Sequence, residues 1–323
     1  MLLSAKEAFM QANNRKNPFL LAPASALAVL VLLLIFGFFE GKGGIKTSIL
    51  VGLFTALAFG LPLILYCFLR GASFSAVFPM QKPKKREMLL ALASLFLLIF
   101  MQAMFKYALF GAEFDYREIT LYGFTLPFPA SVGEWVLMVF AVAVVPSVME
   151  ELVFRGAVFY EYRVAGGLLS VFLSAIFVGM MGISFSAFPW LFVSGAVFAL
   201  VRFLTGNLLV SMLLHIAYTV YTLTLEKYIW LMSISGESRA LFSALSVIFF
   251  GISLFVFLHL AEKILRERAK TDKNAPSRVP KNKRILMLFD VLTAPSLWVL
   301  LCGYLIVAVV RLFVSLIGFI NAI

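Results

Sequence analysis

Val145-Pro146-Ser147-Val148-Met149-Glu150-Glu151-Leu152-Val153-Phe154-Arg155-Gly156 lies inside an apolar run long enough to cross a bilayer. An ionised carboxylate at membrane depth costs roughly 2.5–3.5 kcal/mol on insertion scales, and more in simulations. Two of them side by side point to a functional site within the membrane. The alternative is a structural cluster in which Glu and Arg lock helix packing without chemistry. Arg155 follows Glu151 by four residues, the spacing of a same-face ion pair on a helix. Adjacent helical residues diverge by about 100°, so Glu150 and Glu151 cannot point along one line. The economical division neutralises Glu151 with Arg155 and turns Glu150 to a cavity. There, a buried glutamate makes a good general base or acid near pH 7.

The surrounding chain is nearly all membrane. Its 323 residues are 63% hydrophobic and 13% charged, with a mean hydropathy of +1.02. Apolar runs of about 20 residues, the length that spans a bilayer, fall near 19–39, 47–69, 88–111, 133–158, 166–186, 188–204, 207–228, 240–262 and 294–320. Continuous apolar runs exclude the alternating pattern of a barrel, and only helices or closed barrels satisfy their backbones in lipid. The expected fold is an all-α polytopic transmembrane bundle of about eight or nine spans. The first run is too long for a signal-peptide core and has no small-residue cleavage site after it. Cys67 and Cys302 fall within spans and suggest neither a disulfide framework nor a thiolate metal cluster.

The net charge of +11 is unevenly spread. Lys6, Arg15 and Lys16 precede the first span. Arg70, Lys82, Lys84, Lys85 and Arg86 crowd the loop at 70–87, and nine basic residues lie between Lys263 and Arg284. The 112–132 loop instead carries Glu113, Asp115 and Glu118 against Arg117. With nine spans the basic segments share one face, which the positive-inside rule makes cytoplasmic. The expected setting is a bacterial plasma membrane, amino terminus cytoplasmic and carboxyl terminus outside. The basic loops read as topology determinants beside anionic lipid rather than a nucleic-acid surface. In this orientation Glu150 and Glu151 lie on the order of 12–15 Å below the cytoplasmic surface, and His215, in a span starting near Asn207, reaches a similar depth. A shared cavity follows. Three regions are expected: 1–129 with the first spans and an external loop, a core at 130–228, and 229–323, in which a solvated basic linker at 263–284 precedes an accessory last helix.

Other motifs carry less. Ser211 and His215 sit four apart on one helix, but no strand-turn-helix elbow accompanies them. Gly41-Lys42-Gly43-Gly44 lacks phosphate-cradling spacing. The external loop alternates Phe114, Tyr116, Ile119, Leu121 and Phe124, which suits either the membrane surface or a partner.

Glu150-Glu151-Leu-Val-Phe-Arg155-Gly156 resembles the first motif of the CPBP family, the CAAX prenyl endopeptidases and bacteriocin-processing enzymes also called Abi. Phe188 to Asn207, a glycine-containing helix ending in Arg202 and a Thr205-Gly206 turn, looks like the family's segment before its last motif. His215 then falls where the family carries its third-motif histidine. The resemblance covers roughly residues 130–225. It departs at the second motif, Phe-x-x-x-His, where Met181 or Gly182 stands at the histidine position, and at the third, where Thr219 replaces an asparagine.

The resemblance implies that Glu150 activates a water, that Glu151 with Arg155 orients the site, and that His215 and Thr219 donate to the oxyanion of a tetrahedral intermediate. No cofactor is expected. A divalent metal is the weaker alternative, because a catalytic zinc site wants three protein ligands and the chain has two histidines, His215 and His259. The implied function is an intramembrane endopeptidase acting on a membrane-associated protein or peptide, with the bilayer as its other partner. A catalytically degenerate scaffold or regulator binding a partner protein is the alternative. A transporter relaying protons through Glu150 would predict internal repeats, and the sequence holds no second Glu-Glu.

Overall fold

Backbone polar groups in hydrocarbon must bond internally, and the chain meets that requirement with helices. The computed structural model describes residues 19–37, 44–109, 111, 118–121, 124–127, 129, 131–235, 239–271 and 281–322. In chain order these residues form α1 (Leu21–Gly37), α2 (Gly44–Arg70), α3 (Phe74–Val77), α4 (Lys85–Leu109), the strands β1 (Glu118–Leu121) and β2 (Phe124–Pro127), and α5 (Val132–Tyr162). There follow α6 (Gly167–Met181), α7 (Phe188–Thr205), α8 (Leu208–Thr224), α9 (Glu226–Ile234), α10 (Arg239–Thr271), α11 (Lys281–Leu292) and α12 (Pro295–Ala322).

Six of these helices are long and apolar enough to cross a bilayer: α2, α4, α5, α7, α10 and α12. The pair α8 and α9, bent by 50° at Leu225, makes a seventh if it is one broken span. The two remaining apolar segments of the sequence reading fold as shorter helices, Leu21–Ile35 within α1 and α6 at Gly167–Met181. All nine apolar segments are therefore helical, and the difference from a count of eight or nine spans is one of helix length. The loop at 112–132 contains a hairpin whose antiparallel register pairs Glu118 with Pro127 and Leu121 with Phe124; Phe114 and Tyr116 lie outside the described residues. The basic region at 263–284 is helical at both ends, since α10 runs on to Thr271 and α11 begins at Lys281. The last helix is more than an accessory. It packs along α1, Tyr304 donates to the Ser184 carbonyl at 3.4 Å, and Ser296 donates to the Leu20 carbonyl at 2.9 Å.

Two apolar clusters flank α5 and α8. One joins α1, α2, α5, α6 and α12 through Leu30, Phe59, Phe154, Phe177 and Leu300; the other joins α4, α7, α8 and α10 through Leu98, Phe198, Leu214 and Phe257. α5 is the hub, touching α2, α6 and α8. It is not a uniform α-helix. Pro146 has no N–H to donate and its ring crowds the preceding turn, and the backbone is π-helical on either side, over Val139–Val144 and Glu151–Val158. Widened turns of this kind recur at functional sites. Glu161, near the end of α5, accepts the Ala22 N–H at 2.9 Å in the first turn of α1, where a carboxylate also complements the helix dipole.

α6 and α7 lie close because small residues face each other. A Cβ built on Gly195 would meet Val178 Cβ at 3.2 Å and Ala175 Cα at 3.4 Å. Gly195→Leu is expected to force these helices apart and to cost about 1–3 kcal/mol, the usual range for overpacking. Thermal unfolding in detergent, wild type beside variant, measures it as a lower Tm.

Candidate active site

The turn between α7 and α8 sets the site. Gly206, with φ +72°, ends α7 in the left-handed region that favours glycine, and its N–H bonds the Arg202 carbonyl. Asn207 caps α8 by accepting the Leu209 N–H at 3.1 Å. The same side chain accepts the Gln81 N–H at 3.2 Å and donates to the Gln81 carbonyl at 2.8 Å, while Leu208 N–H bonds the Pro79 carbonyl at 2.9 Å. The start of α8 is thus pinned to the loop before α4. Two turns further on, His215 faces α5.

Glu151 is fully buried, as is Arg155. Arg155 Nη1 lies 3.0 Å from Glu151 Oε1, and His215 Nδ1 lies 3.0 Å from the same oxygen. Arg155 Nη2 donates to the Gly195 carbonyl at 3.0 Å, and its guanidinium sits over the Phe198 ring, 5.3 Å from the centroid. The His215 ring stacks on the same phenylalanine at 4.4 Å between centroids. A single carboxylate oxygen therefore ties α5 to α8, and its guanidinium partner ties α5 to α7. Glu151 Oε2 and Arg155 Nε have no hydrogen-bond partner in the protein. Glu150 is nearly buried, at 9% exposure, and close enough to act electrostatically on Arg155.

One turn towards the start of α5, the Ser147 and Thr219 hydroxyls lie 3.1 Å apart. Ser147 precedes Glu151 by four residues and Thr219 follows His215 by four, so the two contacts are successive rungs between antiparallel helices. Thr219 Oγ1 also donates to the His215 carbonyl at 3.1 Å. Ser211, one turn the other way, is buried and donates to the Leu208 carbonyl at 3.0 Å.

Of the five residues singled out from the sequence, the structure brings Glu151, Arg155 and His215 into direct contact. Glu150 adjoins them, and Thr219 sits one rung away on Ser147. Sequence reasoning missed Ser147, the Gly195 carbonyl and Phe198. Only Ser147 left a signal, its four-residue spacing from Glu151. Both candidate positions for the second-motif histidine are packed. Met181 is buried in the apolar cluster of α1, α5, α6 and α12, and a Cβ on Gly182 would meet Leu191 Cδ1 at 2.5 Å. His259 is exposed on α10, stacked on Phe255. Among the described residues no three His, Cys, Asp or Glu side chains converge as metal ligands.

Residues 132–221 match the family model described as Type II CAAX prenyl endopeptidase Rce1-like. The match falls on the central helices, within the stretch that resembles the CPBP family. No curated protein and no solved structure matches the chain. The matched CPBP segment runs from the start of α5 to Tyr221 in α8, so it contains every member of the Glu151 cluster.

Removing one partner of a buried ion pair leaves an uncompensated charge, at a cost of about 3–5 kcal/mol. Arg155→Met is therefore expected to lower stability by about that much. Glu151→Gln combined with Arg155→Met should be less destabilised than Arg155→Met alone. Unfolding of the two single variants and the double variant in one detergent measures the coupling.

Proposed function

We propose that the protein is an intramembrane endopeptidase of the CPBP type, hydrolysing a peptide bond of a membrane-associated protein or peptide with water activated by Glu150. At the coarser level, a CAAX-type intramembrane protease family is what the match over 132–221 supports. The observation that carries the finer reading is the division of labour between the two glutamates. Glu151 is held by Arg155 and His215, and the nearly buried Glu150 stands next to it in the chain, beside that pair.

In this reading Glu150 accepts a proton from water as the oxygen adds to the scissile carbonyl carbon. It then returns the proton to the amine as the C–N bond breaks, so the enzyme is regenerated. His215 Nδ1 faces a carboxylate, which accepts, so that nitrogen carries a proton. With Nδ1 carrying its proton, Nε2 donates to the oxyanion only in the imidazolium form. Thr219 directs its proton to the His215 carbonyl. It acts here as a positioning residue for the turn that carries His215, and reaches the oxyanion only by exchanging that bond. Glu151 and Arg155 are likewise positioning residues.

The packed Met181 and Gly182 favour a second reading, a degenerate member that binds a partner without cutting it. Cleavage separates the two. Purified protein in liposomes, given a membrane-peptide library read by mass spectrometry, is expected to cut. Glu150→Gln, which keeps the side chain's size, is expected to lose about 100-fold or more in rate with its Tm near that of wild type. Well-folded wild type that cuts nothing would sink the protease reading and leave the scaffold.

A further inference from the structure

At the end of the bundle that holds the α7–α8 turn, a cavity of about 640 Å³ opens between the first turn of α4 and the last turns of α10. Lys84 and Lys85 line it from one side, Arg268 and Lys270 from the other, with Thr205 at its floor. Two carboxylates also reach it, and both are engaged. Glu87 accepts the Lys84 backbone N–H at 3.0 Å, and Glu267 pairs with Arg86. Arg268 donates through Nη1 to the Phe203 carbonyl at 2.6 Å, closing the end of α7. Among the described residues no carboxylate pairs with Lys84, Lys85, Arg268 or Lys270.

Four cations with no acidic partner around a cavity of this size are a receptor for an anion. The neighbouring surface says which kind. Within a turn of the basic residues, Met88 and Leu89 on α4 and Leu265 on α10 are exposed, and both helices continue inward as apolar spans. A free phosphate has no use for that surface, whereas the acyl chains of a phospholipid do. We propose that this cavity binds the phosphate headgroup of an anionic phospholipid, whose acyl chains run along α4 and α10. Basic pockets between helices at a membrane boundary suit this ligand. The site is separate from the Glu151 cluster and does not depend on the protein being a protease.

The experiment uses the full chain purified from neutral detergent. It is incubated with phosphatidylglycerol or phosphatidylcholine and read by native mass spectrometry for retained lipid, with Tm measured in parallel. Wild type is expected to retain phosphatidylglycerol over phosphatidylcholine and to gain Tm with it. Lys84→Gln/Lys85→Gln/Lys270→Gln is expected to weaken that retention on the order of 100-fold, about fivefold per lysine. A charge-matched control, Lys6→Gln/Arg15→Gln/Lys16→Gln, should retain lipid as wild type does. The three cavity lysines are exposed, and Lys85→Gln alone, about fivefold weaker, stands in if the triple variant misfolds. Equal retention of the two lipids by wild type, or equal loss in the cavity and control variants, overturns the proposal. So does the same Tm gain from inorganic phosphate alone, which would make the cavity a phosphate site.

Discussion

A buried carboxylate cannot stay charged in low dielectric without a partner, and a buried guanidinium cannot lose its charge at all. Glu151 and Arg155 meet that constraint together, and much of the central architecture follows from how they do so. The pair is local, four residues apart on one helix, yet it is unsaturated by itself. Part of its remaining bonding capacity is met from other helices: the Gly195 carbonyl on α7, the His215 ring on α8 and the face of Phe198. Burial of one ion pair thus dictates that three helices meet at one depth. Such a pair is weak as a source of stability but strong as a constraint on register, because a shift of one residue in α8 would turn His215 away from Glu151 Oε1.

The backbone of α5 is shaped to the same end. The π-helical stretch from Glu151 to Val158 adds residues to each turn just where Glu151 and Arg155 pair. The carbonyls disturbed by such a stretch need other donors. One is supplied by Ser174 on α6, whose hydroxyl bonds the Phe154 carbonyl at 3.0 Å. Ser147 and Thr219 add a further rung to the α5–α8 contact and hold the two helices at hydrogen-bonding distance beside the charged pair. Against α4 instead, Glu226, at the bend between α8 and α9, accepts from Gln102 at 2.5 Å, from Lys106 at 2.6 Å and from the Tyr107 hydroxyl. The contacts of α8 and α9 are thus polar at intervals inside an apolar bundle.

The sequence made some of this plain. Glu151 and Arg155 declare their pairing by spacing, and His215 reaches their depth by simple counting from the basic loops. The Thr205-Gly206-Asn207 turn is legible because glycine and asparagine have backbone and capping preferences of their own. The π stretches are not legible, since a shifted backbone hydrogen bond changes no residue type. Phe198 was one phenylalanine among 35, on a helix apolar on most sides, where periodicity cannot say which face meets a neighbour. The length of α6 was overestimated for a related reason. Apolar residues continue past the helix ends into turns such as Gly182-Ile183, where Ile183 takes φ +52°.

The positions where a second histidine would stand show how far the departure from the CPBP pattern has been absorbed. Met181 fills part of a core shared with α1 and α12, a place where an imidazole would leave polar nitrogens without partners. Gly182 lets α7 approach so closely that any side chain meets Leu191. The packing of α6 against its neighbours is therefore fitted to a methionine and a glycine, which leaves one imidazole at the cluster. That imidazole is also the one bonded to Glu151, so its orientation is set by the same pair that fixes the helices. In the hydrolysis proposed above, with no second histidine to share the proton, Glu150 is the group beside the cluster whose chemistry fits both halves of the reaction. The missing histidine would then concentrate the catalytic burden on one carboxylate rather than spreading it around the site.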